Sequence, residues 1–218
     1  MPAEKITREK IINAVLDCAF VKSVGGTSLA DIAGKLGIKK ASLYNHYDSR
    51  EAMIEDTINY CNEYIKKIPL IPLEMDYTAQ KYTAGEVLKG IVHRWFKVNE
   101  KEPLIQIYSF LESEKYFSSV VLKIAGDSKR KLVEQAKIAL TSLANADKIK
   151  FKDEEKIALH AELFVSILYS ILDEYIVEKK DDIRSNPRSG EGELFNSLPL
   201  EPDFKKTDNL IEEFCCLL

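Results

Sequence analysis

The sequence predicts an all-α fold, on three observations. Apolar residues recur three and four apart along nearly all of the 218 residues, which is the spacing of one face of a helix. No run alternates apolar and polar residues over a convincing strand length,. Only 9 Gly and 7 Pro interrupt the pattern, and 45% hydrophobic with 30% charged residues excludes collagen-like, low-complexity and disordered classes.

The elements follow in order. Ile11, Val15 and Ala19 with Ile12, Leu16 and Phe20 mark a helix over about residues 7–24, ended by Gly25-Gly26,. Ser28 stands three residues before Asp31, a capping box that opens a short helix through Lys35,. Gly37 stops it, and residues 38–45 form a second short helix. Asp48-Ser49 cap a longer one, whose Ile54, Ile58, Cys61, Ile65 and Ile68 keep the helical step until Pro69 and Pro72,. A polar connection is expected over residues 74–84. Val87, Leu88, Ile91, Val92 and Trp95, then Leu104, Ile107, Tyr108 and Leu111, predict two helices separated near Pro103. A further helix over about 117–144 carries Leu132, Ala136, Ala139 and Leu143, with Gly126 as a break in its first third,. Asp153 opens the most apolar helix, whose Ile157, Ala161, Phe164, Val165, Leu168, Leu172 and Ile176 make a stripe wide enough to suggest a subunit interface,. Pro187, Pro199 and Pro202 with Gly190 and Gly192 read as a connection over 181–206, and Leu210, Phe214 and Leu217 predict a short last helix.

Several function classes find no support. No apolar run reaches the 18 or so residues of a membrane span, and no secretory pattern is visible at the start, which together predict a cytoplasmic protein without a membrane partner,. Cys18, Cys61, Cys215 and Cys216 form no CxxC pair and no zinc spacing, and read as thiols on packed helices,. The final Cys215-Cys216-Leu217-Leu218 formally matches a prenylation box, but Glu212 and Glu213 stand where a polybasic patch belongs,. His46, His93 and His160 are widely separated, with no HExxH,. Ser128 and Lys131 match S-x-x-K without the partner motifs of that enzyme group, and there is no GxGxxG or P-loop,. No catalytic residue, metal site or cofactor is therefore predicted, and an all-α enzyme or small-molecule binder remains the contrary reading.

Charge is more informative. The chain holds 31 Lys and Arg against 35 Asp and Glu, a net of -4. Residues 1–50 carry eight bases and five acids, so +3 resides there and -7 in residues 51–218. An acidic body with a basic head suits a protein whose N-terminal end alone meets a polyanion.

That head contains two short helices joined by a Gly turn between longer helices, the outline of a helix-turn-helix. Ile32, Ala33, Leu36, Ile38 and Leu43 supply an inner face. Lys39, Lys40, Ser42, Tyr44 and Asn45 remain outward, offering ammonium, hydroxyl and amide groups to phosphates and base edges,. The stretch from Ser28 to Met53 resembles the DNA-binding domain of TetR-type (tetracycline-repressor-like) transcription regulators, with matches at Ser28, Asp31, Ile32, Ala33, Gly37, Ser42, Leu43, Tyr44, His46, Tyr47, Ser49, Arg50 and Glu51. The close resemblance covers residues 5–65. One departure is Lys39, where the family commonly has a small hydroxyl residue that caps the recognition helix,.

The resemblance implies a DNA-binding domain over residues 1–50, with the start of a connecting helix to about 65, and a helical effector-binding and dimerisation domain over 51–218. It implies that Ser28 caps the second helix and meets a phosphate. Lys39, Lys40, Ser42, Tyr44 and Asn45 would lie in or beside the major groove, while Tyr47 and Arg50 would hold phosphates. His46 would pack or touch a phosphate. It further implies a homodimer reading a near-palindromic double-stranded DNA operator, with Phe164, Leu168, Leu172, Leu210 and Phe214 at the interface. A small-molecule effector of unknown identity would release it as a repressor, with Tyr60, Tyr64, Trp95, Tyr108 and Phe110 as pocket candidates.

Overall fold

The structure is a computed structural model that describes residues 5–185 and 204–218. The described residues are helical, without strands: α1 Arg8–Gly26, α2 Leu29–Lys35, α3 Lys40–Leu43, α4 Arg50–Ile65, α5 Met75–Lys81, α6 Ala84–Asn99, α7 Leu104–Glu114, α8 Ser119–Asn145, α9 Glu154–Ser185 and α10 Phe204–Cys216. They divide into two compact units, one of residues 5–67, 101–125 and 182–185, the other of 68–100, 126–181 and 204–218.

In the first unit α1 is the hub. Ile11, Ala14 and Val15 face Ile32, Ala33, Leu43 and Met53 in one buried cluster. Ile12, Leu16 and Ala19 face Cys61, Ile107, Phe110 and Leu111 in another. One helix thus carries the helix-turn-helix on one side and α4 and α7 on the other, which a single amphipathic stripe cannot do. Its buried apolar residues accordingly surround the axis instead of forming one narrow face,. The end of α1 differs from expectation. Ser23, ahead of Gly25-Gly26, takes the left-handed φ of 66°, a costly conformation for a residue with a Cβ. Its carbonyl accepts the Thr27 hydroxyl at 2.7 Å, a local bond that helps hold the turn.

The second unit packs α6, α9 and α10 around Leu88, Val92, Phe96, Phe164, Leu168, Leu172 and Ile211, all 1% exposed or less. Phe96 meets Tyr175 edge to face at 4.9 Å, and Phe164 lies 5.6 Å from Phe214, contacts that favour tilted aromatic pairs. Polar contacts fasten α10 to its neighbours: the ion pairs Lys89–Glu212 and Lys206–Glu174, the latter at 2.5 Å, and a hydrogen bond between His93 Nε2 and Asp208 Oδ1 at 2.6 Å. The chain end is also anchored, since Lys150 N–H donates to the Leu218 carbonyl at 2.7 Å.

Four expectations change. The connection over 74–84 contains α5, a helix too short and too sparsely apolar, with only Met75 and Ala79 buried, to show a period. Helix α8 passes through Gly126 unbroken, because the helix has no conflict with a residue that merely lacks a Cβ,. It ends instead on Asp147 at φ 55°, with Lys148 and Asp147 N–H closing onto the Leu143 and Ala144 carbonyls, a Schellman arrangement without glycine. Helix α9 runs on to Ser185, and the rest of the expected connection, residues 186–203, lies outside the described residues. Finally, Phe164, Leu168, Leu172 and Phe214 are enclosed in the protomer's own core, leaving only Leu210 of the expected interface set on the surface. The wide stripe is occupied from within; the opposite face of α9 exposes Leu159, Leu163 and Val177.

Candidate nucleic-acid interface

Helix α2 begins with the capping box its sequence encodes. Asp31 N–H donates to Ser28 Oγ at 3.2 Å, while Ser28 N–H and Oγ–H donate to Asp31 Oδ2 at 2.8 and 2.7 Å,. Lys22 adds an ion pair to Asp31 at 2.5 Å. The Lys22 ammonium and the Ser28 donors hold the Asp31 carboxyl far below the usual carboxylate range,. Ser28 therefore serves as the expected cap, and it is also exposed.

The turn is a Schellman motif. Gly37 N–H donates to the Gly34 carbonyl and Ile38 N–H to Ala33, with Gly37 at φ 64°, where a glycine avoids the Cβ clash. Ile38 then joins Ala33 in the same apolar cluster. Helix α3 follows at once. Its N-cap, Lys39, makes no side-chain cap bond, as its ammonium requires. Only residues 40–43 are α-helical; tighter i→i+3 bonds from Tyr44, Asn45 and His46 N–H continue the turn,. Leu43, 1% exposed, is the residue that seats this helix.

Lys39, Lys40, Tyr44, Asn45 and His46 are exposed and Ser42 half-exposed. Among the described residues no hydrogen bond or ion pair engages the side chains of Lys39, Lys40, Tyr44 or Asn45. The head thus presents a short row of cationic, phenolic and amide groups on one small helix, the chemistry of phosphate and base-edge contact.

Two expected phosphate ligands are otherwise engaged. Arg50, the first residue of α4, donates from Nη2 to the Val24 carbonyl and from Nε and Nη2 to the Thr27 carbonyl at 3.2 and 3.1 Å. It caps the carbonyl end of α1, a favourable place for a cation, instead of pointing outward as the resemblance implied. Tyr47 donates its hydroxyl to Asp56 Oδ2 at 2.6 Å, and the same carboxylate takes Arg8 Nε at 2.6 Å and Nη2 at 2.5 Å. Burial, then the Asp56 bond, raises the Tyr47 phenol; the Arg8 guanidinium lowers Asp56. Arg8 and Asp56 went unnoticed in the sequence because they are 48 positions apart, and no local pattern connects them.

The aromatic candidates also separate. Tyr60 and Tyr64, 5.7 Å apart, pack half-exposed against the cluster that contains Phe110. Phe110 and Trp95 are 3% and 5% exposed, and Trp95 belongs to the other compact unit. Tyr108 is half-buried. No trio of His, Cys, Asp or Glu suited to a metal occurs among the described residues, and no described helix is long and apolar enough to cross a membrane.

Comparison with known proteins agrees with this geometry. The model of bacterial regulatory proteins of the tetR family matches residues 11–57. The Staphylococcus aureus IcaR, an HTH-type negative transcriptional regulator of the biofilm operon icaADBC, is 26% identical over 172 residues, covering 78% of this chain and 83% of its own. The Staphylococcus epidermidis protein of that name is 26% identical over 168 residues, covering 76% and 80%. Among solved structures, Salmonella enterica GusR superposes with a TM-score of 0.58 at 16% identity over 96% of this chain and 95% of its own. FadR of Bacillus subtilis, in complex with stearoyl-CoA, does so with a TM-score of 0.58 at 12% identity over 97% and 100%. These two establish likeness of fold. The capped α2 and the Gly37 turn both lie within the stretch matched by the tetR-family model.

Proposed function

We propose that the protein is a repressor that binds a near-palindromic operator as a homodimer and leaves it when a small molecule binds the body. The observation that carries this reading is the unengaged row Lys39, Lys40, Tyr44 and Asn45 on α3, presented by a head with net positive charge. One such row touches few phosphates, so specific binding calls for two heads about one helical turn apart or a multiple of it. The negative-regulator role of the IcaR relatives supports repression.

In this reading residues 1–50 read DNA and residues 51–218 dimerise and bind the effector. The second copy packs against the exposed face of α9 and α10, where Leu159, Leu163, Val177, Leu210 and Leu217 stand 42–65% exposed, an apolar strip that association would withdraw from water. Tyr60, Tyr64 and Tyr108, which keep accessible edges, border the effector's place, with buried Phe110 of the same unit beneath them. Ser28 and Ser42 add phosphate contacts beside α3, and Tyr47 reaches one only through the free lone pairs of its hydroxyl.

The test is selection of duplexes from a random pool by the full-length protein, repeated at several salt concentrations, with sedimentation in parallel. An enriched palindrome bound by a dimer, with a steep log-log salt dependence, is expected. No enrichment, or a monomer at all concentrations, overturns the reading.

A further inference from the structure

One buried polar group that DNA reading leaves unexplained is Gln106. It lies on α7, 2% exposed, between the buried Ile105 and Ile107. Its Nε2 donates to Asp17 Oδ1 of α1 at 3.0 Å. The other oxygen of Asp17 pairs with Lys35 Nζ, the last residue of α2, at 3.1 Å. One carboxylate thus holds α7 with one oxygen and the helix-turn-helix with the other. The amide must face Asp17 with its nitrogen, since the reverse orientation would set two acceptors against each other.

This arrangement is not the most stable one available. Gln106 Oε1 is buried with no hydrogen-bond partner, and an orphaned carbonyl is worse for stability than an apolar group of the same shape. Methionine has nearly the same volume and would leave no orphan, and it suits an interface that is otherwise Ile12, Leu16, Ala19, Ile107, Phe110 and Leu111,. An amide retained there in spite of its cost has a directional role.

We propose that Gln106 is a positioning residue which, through Asp17 and Lys35, ties α7 to the first helix of the helix-turn-helix and sets the pose in which α3 meets DNA. The proposal rests on the DNA-binding reading above. Apolar contacts between α1 and α7 tolerate sliding, whereas a hydrogen bond fails once its atoms separate beyond about 3.5 Å. The relay converts the axial position of α7 into a fixed or a released α2, and α2 carries Ser28 and the Gly37 turn that leads into α3.

The experiment uses the full-length protein, the duplex that the wild type enriches, and the variants Gln106→Met, Gln106→Lys and Asp17→Asn. Melting temperature, operator affinity and its salt slope are measured for each. Gln106→Met is expected to melt no lower than the wild type yet bind the operator about tenfold more weakly, within the usual range of site-to-site coupling, with an unchanged salt slope because every phosphate ligand is kept. Asp17→Asn should weaken binding similarly, and combining it with Gln106→Met should add little, as expected of two members of one relay. Gln106→Lys, which keeps a donor for Asp17, should retain operator affinity within about threefold. Wild-type affinity in folded Gln106→Met overturns the proposal. So do fully additive effects in the double variant, or a weakening of affinity matched by a fall in melting temperature, which would mark a merely structural residue. A wild type that enriches no duplex overturns the DNA-binding reading and this proposal together, whereas enrichment with an indifferent Gln106→Met removes only the relay.

Discussion

Helices α2 and α3 are neighbours of similar size held in opposite ways. Helix α2 is fixed by its own polar ends: the Ser28–Asp31 box, the Lys22 ion pair and the Gly37 Schellman turn. Helix α3 has no side-chain cap and only four α-helical residues, so it rests on buried Leu43 and on what surrounds it. So short a helix is not stable alone. The difference leaves the polar groups of α3 available: Lys39, Lys40, Tyr44 and Asn45 stay uncommitted because α1, α2 and α4 supply its order.

Removing the packing of α3 should therefore have the largest effect. Leu43→Ala is expected to destabilise the protein by about 2–5 kcal/mol, as for a fully buried leucine, seen as a lower denaturant midpoint. Lys40→Ala and Tyr44→Ala should leave that midpoint nearly unchanged and weaken operator binding by about 1–3 kcal/mol for each good base interaction they remove; unchanged affinity in both would remove α3 from the interface. Ser28→Ala should cost about 1 kcal/mol of stability through removal of the cap, less than Leu43→Ala because only one end of α2 is affected. Lys39→Ser, which gives α3 the cap it lacks, should raise stability by about 0.5–1 kcal/mol, and a fall instead would show that the lysine stem contributes packing.

Acid should distinguish the same two helices. Asp31 is held low by Lys22 and Ser28, and Asp56 by Arg8. A carboxyl depressed in the folded state stabilises at pH above its unfolded value and loses that contribution as pH falls through the folded one. Stability of the wild type should accordingly decline below about pH 4, the ordinary carboxylate range. Asp31→Asn should flatten this decline through α2, and Asp56→Asn through the Tyr47 tether that follows α3; a denaturant titration against pH with identical acid limbs for wild type and both variants would contradict the assignment.

Much of the head was legible because its determinants are local. A cap and its acid lie three residues apart, a turn glycine follows a helix end, and apolar residues at helical spacing mark the inner face. Arg50 was not legible in that way. Its residue type and motif position suggested a phosphate ligand, while its donors in fact meet the Val24 and Thr27 carbonyls. Which direction a long side chain takes depends on the nearest unsatisfied acceptors, and these come from another helix. The stripe of α9 misled for a related reason: periodicity shows that a face is covered, and both a second copy and the protomer's own α6 and α10 would cover it. In the same way α5 left no period to read, and Ser23 took the left-handed conformation expected of the glycines behind it.

The sequence by itself determined the helical class, the ends of α2, the Gly37 turn and the outward chemistry of α3, since each follows from residues within one or two turns of one another. Only the tertiary structure decided which of those groups are free. The Arg8–Asp56–Tyr47 tether, the Arg50 clamp and the Gln106–Asp17–Lys35 relay join residues 9 to 89 positions apart. Hydrogen-bonding capacity is written in the residue type, but its satisfaction depends on distances of about 3 Å that only packing sets.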